Sequence, residues 1–214
     1  MANLLYVTCN VRPQDKSRTL SLGNEFPEEY LRRNPQDEVQ VLDLYRDNIQ
    51  RVDQDVLNVW GRIERGEDYG LLSDGERHKI ARLWRLADQF HRCDKYVFVT
   101  YSLNLWFPAE FKMYIDAICI PAYRITPQVA KSMLHDHCRN SLHLHACPPH
   151  LQACPPYKFV QEQDQSIAYL RSVLNFLDVT DQETALLEGD DPELGSKEEY
   201  ETVRRRLLEL VRRF

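Results

Sequence analysis

The sequence predicts an α/β fold: a three-layer sandwich with a five-stranded parallel sheet between two layers of helices. Three observations carry this prediction. Strand-sized apolar runs alternate with helix-period segments along nearly the whole chain. The first run, Leu4-Leu5-Tyr6-Val7, is continuously apolar, as a strand buried on both faces of a parallel sheet must be. The chain has 214 residues, 43% hydrophobic and 28% charged, enough to bury a sizeable core. No repeat or low-complexity linker interrupts it, so one domain spanning 1–214 is expected.

The elements follow in order. After Leu4–Val7 comes a polar, proline-containing loop, 10–16, and then a helix from about Ser17 with Leu20, Leu22, Phe26, Tyr30 and Leu31 as its apolar positions. Asn34-Pro35 ends that helix, because the residue before proline is driven out of the helical region. Val39, Val41, Leu42 and Leu44 make the second strand. A short helix after Asp53 uses Val56, Leu57, Val59, Trp60 and Ile63, followed by a surface excursion at Gly66 and Gly70. Ser73 with Glu76 three residues on is a capping box, opening a helix with Ile80, Leu83, Trp84 and Ala87 on one face. Lys95–Tyr101, rich in β-branched and aromatic residues, is the third strand. A helix over 107–118 tolerates Pro108 in its first turn. Leu142–Ala146 is the fourth strand, and 166–177 a helix striped by Ile167, Leu170, Val173, Leu174 and Leu177. Thr184–Leu187 is a short fifth strand, followed by an acidic loop and a charged helix over about 197–213.

Composition excludes several functions. With 27 basic and 33 acidic residues the net charge is −6, and no basic half offers a footprint for nucleic acid. The longest apolar stretches are strand-sized, so no membrane-spanning helix is expected. The opening residues lack the pattern of a secretory signal, and a cytoplasmic location is the simplest expectation. The six cysteines therefore do not read as a disulfide framework. Cys9, Cys93 and Cys119 read as small buried hydrophobes, while Cys138, Cys147 and Cys154 share one unusual segment.

Parallel sheets of this kind bind ligands at the carboxyl ends of their strands. The first strand runs into Asn10, and the helix that follows starts at Ser17-Arg18-Thr19. A helix N-terminus with two hydroxyls and a guanidinium nearby is a ready anion site. The plainer reading of Ser17 is a helix cap. No Gly-x-Gly-x-x-Gly and no Walker pattern is present, which disfavours a dinucleotide-binding fold or a P-loop.

Further motifs make the chain specific. Asn104-Leu105-Trp106-Phe107-Pro108-Ala109, followed by Lys112-Met113-Tyr114-Ile115-Asp116, resembles the Asn-x-x-x-Pro-Ala and Tyr-Ile/Phe-Asp signature of the FMN-dependent NADH-azoreductases. The Asn10-Val11-Arg12-Pro13 loop, the Ser17–Thr19 turn, Tyr123-Arg124-Ile125-Thr126 and the helix leading to Val179 are similar to the same family. The likeness spans nearly the whole chain. It implies a flavodoxin-like fold and reduction of quinones or azo compounds by NADH through bound FMN. It implies that Asn10, Ser17, Arg18 and Thr19 hold the FMN phosphate, and that Ser102, Leu103, Asn104 and Leu105 hold the ring. It also implies a homodimer, with the helix after Trp106 a candidate for the interface. No side-chain acid or nucleophile is demanded, because the flavin carries the hydride chemistry.

Two stretches depart from the family pattern. Tyr101-Ser102-Leu103-Asn104 lacks the usual proline and flavin-stacking aromatic, and Ala146-Cys147-Pro148-Pro149 stands where Ser/Ala-Arg-Gly-Gly is usual. Prolines there remove N–H donors that glycines would leave free. Five of the seven histidines lie in the segment from His135 to Cys154. Within that run, His143 and His145 share one strand face, and Cys147 and Cys154 could complete a zinc site with them. The alternative function is therefore a flavodoxin-like scaffold without redox activity, serving as a metal-binding or ligand-sensing module.

Overall fold

The computed structural model describes residues 1–103, 105–120, 139–147 and 164–214. Five strands, β1 (Asn3–Cys9), β2 (Glu38–Asp43), β3 (Lys95–Tyr101), β4 (Asn140–Cys147) and β5 (Asp181–Glu188), form one sheet in the order β2-β1-β3-β4-β5. Every neighbouring pair is parallel. Among the described residues six α-helices accompany them: α1 (Arg18–Arg33), α2 (Gln54–Glu64), α3 (Asp74–His91), α4 (Ala109–Ile118), α5 (Ser166–Phe176) and α6 (Lys197–Val211).

The period-2 alternation of the central strands divides the core into two layers. Leu4 and Tyr6 of β1, Val97 and Val99 of β3 and Leu142 and Leu144 of β4 face Leu22 and Phe26 of α1 and Leu207 and Val211 of α6. Leu5 and Val7 of β1 and Tyr96 and Phe98 of β3 face α2, α3, α4 and α5 through Val59, Leu83, Phe111 and Leu174. The close approach of α1 to the sheet depends on Gly23. A Cβ there would lie 2.7 Å from the Tyr6 hydroxyl and 2.8 Å from a Val99 methyl.

The caps follow the sequence. Ser17 accepts from the Leu20 N–H at the start of α1, Asp53 from Val56 at the start of α2, and Ser73 and Glu76 form the reciprocal box of α3. Several expected details are corrected. Pro108 precedes α4 as its cap residue instead of lying in the first turn. Leu31 and Val41 are exposed, not core. Val41 belongs to the edge strand β2, which has one neighbour and lacks the cover that β1 and β3 receive. Cys9 and Cys93 are buried as expected, whereas Cys119 is only half-buried. Among the described residues no helix is long and apolar enough to cross a membrane.

Candidate active site

The strand order changes direction between β1 and β3, and the loops after β1, β3 and β5 meet the end of β4 at this edge of the sheet. They enclose a cavity of about 330 Å³ whose walls include Arg12, Leu103, Cys147 and Asp190. Leu103 and Leu105 expose apolar side chains on the turn after β3. Leu103 pairs with Trp106 across that turn, and Leu105 holds a φ of +68°, a left-handed conformation uncommon for leucine. Trp106 packs against Tyr169 and Phe107 with ring centroids 5.0 and 5.2 Å apart, so it is tied into the core. Ser102 donates its backbone N–H to the Ala146 carbonyl at 2.8 Å, locking this turn to the end of β4. Asn104 lies outside the described residues.

At the start of α1 the expected anion donors converge. Asn10, Ser17 and Thr19 are all buried. What they hold is a carboxylate from this chain. Asp190 Oδ1 accepts from Ser17 Oγ at 2.8 Å, Thr19 Oγ1 at 2.6 Å and the Thr19 N–H at 2.9 Å, and its Oδ2 accepts from Asn10 Nδ2 at 2.7 Å. The donor set thus fits a phosphate oxygen chemically: two hydroxyls, an amide and a helix N-terminal N–H already grip an anion. Asp190 comes from the acidic loop after β5, a long-range partner with no local sequence signal beyond Gly189. That glycine has a φ of +74°, which turns the chain from β5 back toward α1.

Arg18 does not join this group. Its backbone N–H donates to the Asp190 carbonyl at 2.9 Å, but its buried guanidinium points the other way. It donates to the carbonyls of Glu188 (2.6 Å), Gly189 (3.1 Å) and Ser196 (2.7 Å) and pairs with Glu199 at 3.0 Å. Arg18 is a strut for the loop between β5 and α6. A Cβ on Gly195 would overlap the guanidinium, so that residue must stay small.

The two histidines of β4 meet at a hydroxyl on β3. Thr100 Oγ1 lies 2.7 Å from both His143 Nε2 and His145 Nδ1. One hydroxyl gives its proton to one ring and must accept from the other, so the three side chains form a directed chain. It continues from His145 Nε2 to Asp164 at 3.1 Å, and Asp164 in turn accepts from the Ser166 N–H at 2.9 Å at the start of α5. Burial, reinforced by neighbouring His145, pushes the His143 pKa well below its ordinary value. Burial would raise Asp164, but hydrogen bonds from His145 and Ser166 outweigh it and hold the carboxyl well below its usual range. Among the described residues His145, Cys147 and Asp164 offer ligand atoms within 4.8 Å of one another, a group that holds two of the four expected ligands and not His143. Cys154 lies outside the described residues. Asp164 was legible only as an Asx turn two residues before the helix at Ser166.

Comparison with known proteins agrees with this geometry. A family model described as flavodoxin-like fold matches residues 2–211. The chain belongs to this family. It is 47% identical over 193 residues to the FMN-dependent NADH:quinone oxidoreductase of Geotalea uraniireducens (strain Rf4), covering 89% of each chain. It is 44% identical over 202 residues to the protein of that name from Trichlorobacter lovleyi, covering 94% of this chain and 93% of that one. Among solved structures, azoreductase from Bacillus anthracis str. Sterne superposes with a TM-score of 0.78 at 24% identity over the full length of both chains, a likeness of fold. Neither curated relative carries the name of a metal-binding or sensing module.

Proposed function

We propose that this chain is an FMN-dependent NADH:quinone oxidoreductase that also accepts azo compounds. The observation that carries the proposal is the coincidence of two things. The chain matches curated oxidoreductases of that name over about nine-tenths of its length. Its strand ends also carry an anion cradle beside a cavity with both charged and apolar walls.

In this reading Asn10, Ser17 and Thr19 hold the FMN phosphate once Asp190 has left their donors. Arg18 contributes its backbone position and anchors the neighbouring loop. Ser102, Leu103, Asn104 and Leu105 line the ring, with Leu103 and Ala146–Cys147 supplying apolar walls. Bound FMN supplies the acceptor for a hydride from NADH and the donor to the quinone or azo substrate. The protein's part is placement and exclusion of water, and no side-chain nucleophile enters the reading. Zinc is not part of the proposal, because both ring nitrogens of His145 already have partners. A homodimer, on the family resemblance, and one cytoplasmic domain over 1–214, on the sequence pattern, complete the reading.

Titrating purified apoprotein with FMN, followed by NADH-dependent quinone reduction, tests it. Saturable uptake with FMN-dependent turnover is expected. Protein that takes up no flavin and gives no turnover refutes it.

A further inference from the structure

We propose that Asp190 is a built-in competitor of the FMN phosphate and sets the affinity of this chain for the flavin. The inference rests on the reading of the α1 N-terminus as the phosphate site. Four donors that a phosphate would need are all spent on one carboxylate, at 2.6 to 2.9 Å. The loop bearing it is held from both sides. The Gly189 N–H donates to the Cys147 carbonyl at 2.6 Å, and Arg18 grips the carbonyls of Glu188 and Gly189. Among the described residues no basic side chain pairs with Asp190. The nearby Arg12 instead reaches Asp191 at 3.5 Å.

Physical chemistry then decides the competition. Two anions cannot share one set of donors at contact distance. The carboxylate is tethered to the site, so its effective concentration there is high and does not fall on dilution. FMN must therefore turn the Asp190 side chain out before its phosphate can dock. Riboflavin, which lacks the phosphate, meets no such contest. The loop backbone need not move, because the Arg18 and Cys147 contacts hold main-chain atoms and leave the Asp190 side chain free to rotate.

The test compares wild type with Asp190→Ala and Asp190→Asn, titrating each with FMN and with riboflavin, and melting each with and without inorganic phosphate. D190A is expected to bind FMN at least tenfold more tightly than wild type, with riboflavin affinity unchanged. Without anion D190A should melt below wild type, because the donors at α1 lose their acceptor, and phosphate should restore it while barely moving wild type. D190N keeps an acceptor oxygen without the charge and should fall between, which keeps the test usable if D190A folds poorly. FMN affinity equal to or below that of wild type in the folded variants overturns the proposal and leaves the oxidoreductase reading intact. If no chain binds either flavin, the oxidoreductase reading fails. Asp190 then stands as an occupant of an anion site if phosphate rescues D190A alone, and falls if phosphate acts on all chains equally.

Discussion

Replacing Arg18 with methionine separates a structural strut from a phosphate ligand. The guanidinium makes four contacts of 2.6 to 3.1 Å, three of them to carbonyls at the end of β5 and in the loop joining it to α6, and one to Glu199. Hydrogen bonds from a charged group contribute about 1.5–3 kcal/mol each when removed singly. These four share one donor group, and Glu199 is partly solvated, so their contributions do not add. Losing one partner of a buried charged network costs about 3–5 kcal/mol, and that is the expected loss for R18M. It is a large share of a typical stability of about 5–15 kcal/mol. Lysine preserves charge but not the planar fork, and R18K should lose about 1–3 kcal/mol. Urea unfolding followed by tryptophan fluorescence reads this directly. For a slope of about 3 kcal/mol/M the R18M midpoint drops by about 1 M or more. The ratio of FMN to riboflavin affinity should not fall. A loss below about 1 kcal/mol, or intact stability with selective loss of FMN, would refute the strut and restore Arg18 to the phosphate.

Other expectations follow from single contacts. Gly23→Ala forces a methyl against the Tyr6 hydroxyl and Val99. The overpacking of about 1–3 kcal/mol should exceed a helix-propensity gain of about 1 kcal/mol, giving a lower urea midpoint that Tyr6→Phe partly restores. His143 is buried with its pKa held well below the ordinary value, so the unfolded chain, titrating near about 6.5, takes up a proton that the folded chain refuses. Stability from this group is therefore complete above about pH 6.5 and falls as pH drops toward the folded value, by up to about 1.4 kcal/mol per pH unit. Urea midpoints at pH 7, 6 and 5 should show that slope, and His143→Gln should flatten it. Asp164, with its folded pKa also lowered, loses its contribution only below about pH 4, outside this window. Elemental analysis should find no stoichiometric zinc, and a chelator should leave the melting temperature unchanged.

Local chemistry was the legible part of this fold. The Lys95–Tyr101 strand, the Ser17 cap and the Ser73–Glu76 box are each written within a few residues, and the structure reproduces them. The Leu/His alternation of β4 was equally readable: Leu142 and Leu144 face α1 and α6, while the two histidines reach Thr100 on β3. What the histidines bond to was not readable, because Thr100 and Asp164 reach them only through strand register and the entry into α5. The same limit governs the phosphate cradle. Its donors lie within ten residues of one another, but the anion that fills it lies 171 residues beyond Thr19 and is aimed by the turn at Gly189. The direction of the Arg18 side chain was likewise invisible, since the same arginine fits an anion site or a carbonyl strut until β5 and α6 are in place.

In the proposed function electrons pass from NADH to a quinone through bound FMN. Mixing FMN-loaded protein with NADH without oxygen, while recording flavin absorbance, follows that transfer at the flavin itself. The oxidised-flavin band should bleach and return on adding a quinone. A band that persists under saturating NADH, with FMN demonstrably bound, would rule out hydride transfer to the flavin in this chain.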